Sequence, residues 1–343
     1  MTERLGVALI GYGYWGANLA RNIKATPSLR LIGVADPTES QRKAADEALD
    51  NITTWSSLAE ALADPDVAAV VIASPAGFHA ELATEALGAG KHVMVEKPLA
   101  MNAVDAERLV ALAASTGLTL MVGHTFLYSA PVLRLREYID RGDLGAIQYI
   151  YSQRLSLGRI RRDCNALWNF APHDVAIMLY LLSERPTEVS GTSMAMIDKA
   201  IPDVFFANLT FPSGIGTHLH VSWIDPSKSR VMTIVGDQKM AIYNDVSVDQ
   251  KVWLVDAGVA KGEGFGEYES LGDFQWRTRA GDIVIPKIEV TEPLRNEMAA
   301  FAHACITGEP PLADARHGAD VVAILEAIDE SARRHGEPVQ LQW

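Results

Sequence analysis

Over the first 124 residues, short apolar runs alternate with amphipathic stretches. The runs are Leu5–Ile10, Leu29–Ala35, Val67–Ala73, His92–Val95 and Leu118–Val122. Helical spacing recurs between them, as in Ala76–Leu87 with Phe78, Leu82 and Leu87, and in Ala103–Ala114 with Leu109, Val110 and Leu112. Unbroken apolar runs suit strands buried on both faces, and strands alternating with helices build βαβ units. This part of the chain therefore predicts a doubly wound parallel sheet.

The pattern changes after His124. A helix is expected over Ser129–Asp140, then strands over Ile147–Leu155, Glu188–Met196, Val204–Phe211, Gly216–Trp223, Val231–Val235, Met240–Tyr243 and Val252–Val255. Turn signals at Pro212-Ser213-Gly214, Asp225-Pro226 and Gly236-Asp237 separate them. A helix over Pro172–Leu182 interrupts the series, and helices over Pro293–Ile306 and Ala319–Arg334 close the chain. Strands that follow one another without intervening helices predict an α+β domain with a mainly antiparallel open sheet. The expected division is 1–125 and 126–343. The glycine-rich stretch Gly258–Gly272 lacks a Gly-Lys-Ser/Thr ending and a strand-to-helix setting, so it reads as a surface loop.

Length and composition narrow the classes. At 343 residues the chain suits two domains, and 48% hydrophobic with 21% charged residues is an ordinary globular balance. No apolar run approaches the roughly 20 residues that span a bilayer, which argues against a membrane partner. Glu3 and Arg4 precede a short apolar run ending in glycines, unlike a secretory leader. Two cysteines cannot make a disulfide framework, so a cytoplasmic protein is expected. The net charge of −13, from 30 basic and 43 acidic residues, argues against nucleic acid. The nearest approach to a basic cluster is Arg159, Arg161 and Arg162, enough to line one anion pocket.

Gly11-Tyr12-Gly13-Tyr14-Trp15-Gly16 directly follows the first predicted strand and opens a helix. Such a turn needs Gly11 for its tightness, Gly13 for backbone approach to a pyrophosphate, and Gly16 for helix–strand packing. The helix beyond presents free N–H groups and the positive end of its dipole to the phosphates. Asp36 ends the second strand 20 residues past Gly16, where an acid binds adenosine ribose hydroxyls and repels a 2′-phosphate. The expected domain is thus a Rossmann domain holding NAD in preference to NADP, with Arg42 the residue best placed to alter that preference. His218 and His220 alternate on one strand face, but no third ligand has metal spacing, so no metal is expected.

Together with Gly11–Gly16, the segments Ala73-Ser74-Pro75 with His79 and, above all, Glu96-Lys97-Pro98 resemble the glucose–fructose oxidoreductase/inositol dehydrogenase (Gfo/Idh/MocA) family. The resemblance spans essentially the whole chain. It implies cofactor contacts from Tyr14, Trp15, Ser74, Pro75, His79, Glu96 and Lys97. It also implies catalysis by Lys97 with His173, which lies in Trp168-Asn169-Phe170-Ala171-Pro172-His173-Asp174. An aspartate usual in that family four residues before the histidine is replaced by Asn169, which can orient a hydroxyl but cannot exchange a proton near neutrality. Asp174 would point about 100° from His173 on a helix and does not fill the role.

Gly123–Tyr128 and Tyr151–Arg161 resemble members that act at C3 of nucleotide-linked hexoses. This implies sugar contacts from His124, Asn169, His173 and Lys97, and diphosphate contacts from Arg154, Arg159 and Arg161. The expectation is an NAD-dependent dehydrogenase or ketoreductase interconverting a sugar carbinol and ketone, assembled as a homodimer or homotetramer. Burial and the adjacent cofactor would lower the proton affinity of Lys97 enough for transfer near neutral pH. Asn169 keeps open a catalytically silent NAD-binding sensor or scaffold, and a separate alternative is a glycosidase using tightly bound NAD for transient oxidation.

Overall fold

The structure, a computed structural model, describes residues 4–158, 160–260, 277–289 and 291–343. The chain clusters into two compact units, Met1–Ser129 with Thr291–Glu326, and Ala130–Val290 with Ala327–Trp343. The contiguous division at 125/126 needs correction, because the chain returns to its first unit near its end. The cause is the apolar stripe Leu294, Met298 and Phe301 on a helix at Pro293–Thr307, which is buried against the first unit's own residues.

In the first unit, β1 (Leu5–Ile10), α1 (Tyr14–Ala25), β2 (Leu29–Ala35), α2 (Glu39–Ala48), β3 (Thr53–Trp55), α3 (Leu58–Leu62), β4 (Ala69–Ile72), α4 (His79–Gly88), β5 (His92–Glu96), α5 (Ala103–Thr116) and β6 (Leu120–Gly123) alternate. The strands are parallel in the order β3-β2-β1-β4-β5-β6. The order reverses between β1 and β4, the point where open α/β sheets bind ligands beyond their carboxyl ends. β3 was not anticipated, since Thr-Thr-Trp is too short and polar to form an apolar run.

In the second unit, α6 (Ala130–Asp140) and α7 (Ala166–Leu182) accompany β7 (Ile147–Leu157), β8 (Glu188–Met194), β9 (Val204–Thr210), β10 (Gly216–Ser222), β11 (Ile224–Gly236), β12 (Met240–Asn244), β13 (Val252–Ala260) and β14 (Arg277–Val284). After α8 (Pro293–Thr307), α9 (Ala315–Arg333) leads to β15 (Val339–Gln340). The sheet order is β14-β13-β12-β11-β7-β10-β9-β8-β15, antiparallel except where β7 and β10 run parallel. The expected α+β fold with a mainly antiparallel sheet is what forms. β11 runs through the predicted Asp225-Pro226 turn, because a register shift between Ile224 and Ser229 absorbs the proline. The part of the Gly258–Gly272 stretch beyond Ala260 lies outside the described residues.

α7 starts six residues before the predicted Pro172. The Asn165 side chain caps it by accepting from the Trp168 N–H at 3.1 Å, and Ala166, Leu167, Trp168 and Ala171 are buried. Pro172 costs this helix the bond its missing N–H would have made to the Trp168 carbonyl and crowds that carbonyl with its ring, and the buried face outweighs both. Asn169 and His173 therefore stand four apart on one helix face. Among the described residues no helix is long and apolar enough to cross a membrane.

Candidate active site

The glycine turn in the first unit is as tight as the motif requires. Gly11 has φ +96°, and a Cβ there would lie 2.9 Å from the Ala73 carbonyl oxygen. A side chain at Gly16 would overlap the Gly11 carbonyl, whereas nothing lies within 4 Å of the Cβ position at Gly13. Crowding at the first and third glycines and open space at the second is the cradle a pyrophosphate needs. Gly13 is also the N-cap of α1, and as a glycine it places no capping side chain over the helix's first N–H groups. Gly11 packs on the β4 turn that carries Ser74 and Pro75, so two of the predicted cofactor segments meet.

Asp36 is 7% exposed and fixes the same turn. Its Oδ2 accepts the Tyr12 N–H and its Oδ1 the Thr38 N–H, both at 2.8 Å. Each oxygen keeps a second lone pair for a ribose hydroxyl. Arg42 Nη1 donates to the Asp36 and Pro37 carbonyls at 2.7 and 3.0 Å, so its guanidinium is held against the backbone of this turn. Tyr14 is exposed and points away from the unit's own core, while the Trp15 indole N–H donates to Glu96 Oε1 at 2.5 Å. The turn after β1 and the loop after β5 are thereby tied together.

His79 does not have a ring edge free for a cofactor. At 1% exposure, its Nδ1 lies 2.7 Å from the Pro98 carbonyl and its Nε2 2.9 Å from the Ser74 carbonyl. It fastens the β4 loop to the Lys97-Pro98 bond, which is cis. Burial lowers its proton affinity, and the Lys97 charge lowers it further against the pull of the two carbonyls.

Lys97 sits at the carboxyl end of β5 within a group of titratable side chains. Burial pushes the Glu96 carboxyl up to about 7, against the opposing pull of the Trp15 indole and the Lys97 charge. Glu96 lies against Gly123, where an added Cβ would approach its Oε2 to 2.9 Å. Glu297 on α8 is fully buried and accepts from the Thr125 hydroxyl at 2.8 Å. Burial and the facing Glu96 raise its carboxyl well above the ordinary range. His124 is 1% exposed and meets His317 edge-on at 5.6 Å between ring centroids. Burial, then His317 and Lys97, hold His124 well below the usual histidine range, and burial lowers His317 to about 4. The sequence reading passed over Glu297 and His317. Glu297 had one signal, a carboxylate on the same stripe as Leu294, Met298 and Phe301.

In the second unit, α7 carries Asn169 and His173, both partly exposed. The assignment of Arg154 to a diphosphate is corrected. On β7 at 4% exposure, its Nε donates to Asp174 Oδ2 at 2.5 Å, and the pair bolts the sheet to α7. Asp174 is thus committed to structure, consistent with its exclusion from acid–base chemistry. Arg161 makes a two-pronged pair with Asp163, at 2.9 Å from Nε and 2.5 Å from Nη2. Arg159 lies outside the described residues. His218 bonds the Asn208 side chain at 2.8 Å, and both His218 and His220 stack on Phe206.

Two family models match the chain. Residues 5–124 match an oxidoreductase family described as an NAD-binding Rossmann fold, and residues 132–242 match the GFO/IDH/MocA C-terminal domain. Inositol 2-dehydrogenase of Rhizobium meliloti (strain 1021) is 28% identical over 353 residues, covering 99% of each chain. The structure of GenD2 from gentamicin A biosynthesis, in complex with NAD, is similar with a TM-score of 0.81 at 24% identity, covering 100% of this chain and 98% of that one. UDP-N-acetylglucosamine 3-dehydrogenase GnnA of Acidithiobacillus ferrooxidans is similar with a TM-score of 0.79 at 22% identity, covering 96% of this chain and 98% of that one. At these identities the two structures speak to fold alone.

Proposed function

The chain belongs to the GFO/IDH/MocA oxidoreductase family, with an NAD-binding Rossmann domain, and from that premise we propose that it oxidises a sugar carbinol to the ketone, at C3 of a nucleotide-linked hexose. The observation that carries the reading is the seat of Lys97. It stands at the carboxyl end of β5, beside the tie between Glu96 and Trp15 of the glycine turn, among side chains whose proton affinities are shifted.

Gly11, Gly13 and Gly16 with Ser74 and Pro75 would hold the pyrophosphate end, and Asp36 the adenosine ribose, favouring NAD over NADP. Bound NAD supplies the acceptor for the hydride leaving the carbinol carbon. Lys97 Nζ would receive the hydroxyl proton, so carbinol plus NAD gives ketone, NADH and one proton, with His173 the second acid–base residue that the resemblance implies. Asn169, on the His173 face of α7, orients a neighbouring hydroxyl without exchanging protons. The sheet of the second unit exposes the stacked Tyr149 and Tyr151 together with Trp253, an apolar face suited to a second copy of the chain.

The test is incubation with NAD, and separately NADP, against nucleotide-hexoses, free sugars and inositols while following NADH absorbance. A nucleotide-hexose that yields NADH and a 3-ketosugar supports the reading. If none is oxidised, and deuterated NADH passes no isotope to any 3-ketosugar, the reading fails in favour of a silent binder.

A further inference from the structure

We propose that Glu297 and Glu96 hold one proton between them, so that Glu297 acts as a positioning residue that limits the negative charge facing Lys97 to a single unit. The inference rests on Lys97 as the proton acceptor proposed above. Both carboxyls belong to the first unit, Glu96 at the end of β5 and Glu297 on α8.

The argument begins with unequal partners. Glu96 accepts the Trp15 indole N–H at 2.5 Å through Oε1 and the Lys97 backbone N–H at 3.3 Å through Oε2. Two donors suit an ionised carboxylate. Glu297 is 0% exposed, and one hydroxyl, from Thr125 at 2.8 Å, reaches its Oε2. Its Oε1 is buried and has no donor among the described residues. As a carboxylate, Glu297 would leave a charged oxygen desolvated and unpaired while facing a second negative charge, which is costly. As a carboxylic acid, it turns that oxygen into a donor and removes the repulsion. Two carboxyls sharing one site characteristically retain a proton in this way.

The groups around the pair agree. From α1 comes the neutral Trp15 indole, while Arg21 and Asn22 are already engaged with Glu292 at the N-terminus of α8. From the turn after β6 come Thr125 and Tyr128, and burial pushes the Tyr128 phenol well above its ordinary range, so it stays neutral. His124 is held neutral beside Lys97. Lys97 is thus the cation whose charge acts on Glu96, and one cation does not balance two carboxylates. Losing the shared proton would place a second negative charge behind Lys97 and strengthen its hold on its own proton, disabling it as an acceptor.

Infrared spectroscopy on the full-length protein, with glutamate carboxyls carbon-13 labelled, tests this without substrate. The wild type should show a protonated-carboxyl stretch at neutral pH that disappears on alkaline titration. Glu297→Gln should lack it. In Thr125→Val, which removes a donor to the ionised form, the band should survive to higher pH. That variant carries the test if Glu297→Gln does not fold. The second readout is the pH dependence of reductive methylation of Lys97, quantified by peptide mass spectrometry. Below the pH at which the wild-type band is lost, half-maximal reactivity should stay near wild type in Glu297→Gln and in Thr125→Val, because in each case Lys97 faces one negative charge. Absence of the band in the wild type overturns the proposal, as does a fall of about one pH unit in half-maximal Lys97 reactivity in Glu297→Gln, which would mean that both carboxylates are charged in the wild type. Failure of the catalytic reading registers elsewhere, as undiminished turnover in Lys97→Ala with the infrared band still present.

Discussion

Replacing Asp174 by asparagine keeps the side chain's shape and removes its charge, which isolates the bond between α7 and the second unit's sheet. Both partners of the pair are 5% exposed, and the Arg154 Nε to Asp174 Oδ2 distance is 2.5 Å. Breaking a buried pair from one side typically costs about 3–5 kcal/mol, because the surviving charge is left desolvated. Here Tyr243 and Asp245 also act on the guanidinium, but Asp245 is already engaged by Arg230 at 3.1 Å, so relief from that side is partial. The expected cost is therefore near the lower end, about 3 kcal/mol. Hydrogen–deuterium exchange of peptides from β7 and α7 reads this unit separately, which matters in a chain of two units that need not unfold together. Protection should fall by a factor of about 100 or more, following the 1.4 kcal/mol per tenfold conversion. The double replacement Arg154→Met with Asp174→Leu should recover most of it, since an apolar pair of similar volume avoids both desolvation costs. A loss below about tenfold in Asp174→Asn would refute the reasoning. So would tighter nucleotide binding in that variant, because it would mean that Arg154 was available to a diphosphate after all.

Three further outcomes are expected. Lys97→Ala should lose about 10²–10⁴ in turnover while NAD binding, followed by fluorescence titration, stays near wild type; near wild-type turnover would end the assignment. Asp36→Asn removes the charge that repels a 2′-phosphate while leaving Arg42 in place, so the ratio of NAD to NADP affinity should fall by at least about tenfold, or 1.4 kcal/mol. His317, lowered by burial to about 4, binds its proton more weakly folded than unfolded, so stability present above pH 6.5 is lost as the pH falls toward 4. The span amounts to at most about 3 kcal/mol at 1.36 kcal/mol per unit, and His317→Leu should flatten the urea midpoint across that range, an unaltered slope counting against the argument.

The first unit was largely legible because its strands are buried on both faces and its glycines sit where backbone must meet backbone. Leu5–Ile10 and Leu29–Ala35 match their strands residue for residue. Three kinds of feature escaped. Short strands such as Thr53–Trp55 and Val339–Gln340 gain their pairing from neighbours distant in sequence. The start of α7 was misplaced because Pro172 looked like a first-turn residue, although tertiary burial carries the helix through it. Arg154 was misassigned because a buried, paired arginine and a ligand-facing one look alike in sequence. The titratable group around Lys97 was half visible: Glu96 and His124 stand at or just past the ends of the neighbouring strands β5 and β6, whereas Glu297 and His317 arrive from the closing helices.

What remains for substrate selection follows from the cost of freeing each arginine. Arg161 and Asp163 are 40% and 50% exposed, and a pair in that setting contributes about 0–1 kcal/mol. An incoming diphosphate, with more charge and a geometry matched to the guanidinium fork, can displace Asp163 at little cost. Arg154 faces the opposite balance, since leaving Asp174 would strand two charges in a closed interior. An anion contact from this region is therefore expected of Arg161, which can exchange its partner at little cost. We expect that contact to add affinity for a substrate carrying a diphosphate and none for an unlinked polyol. The discriminating quantity is then KM rather than kcat, because contacts remote from the carbinol that are made equally in ground and transition states change binding alone.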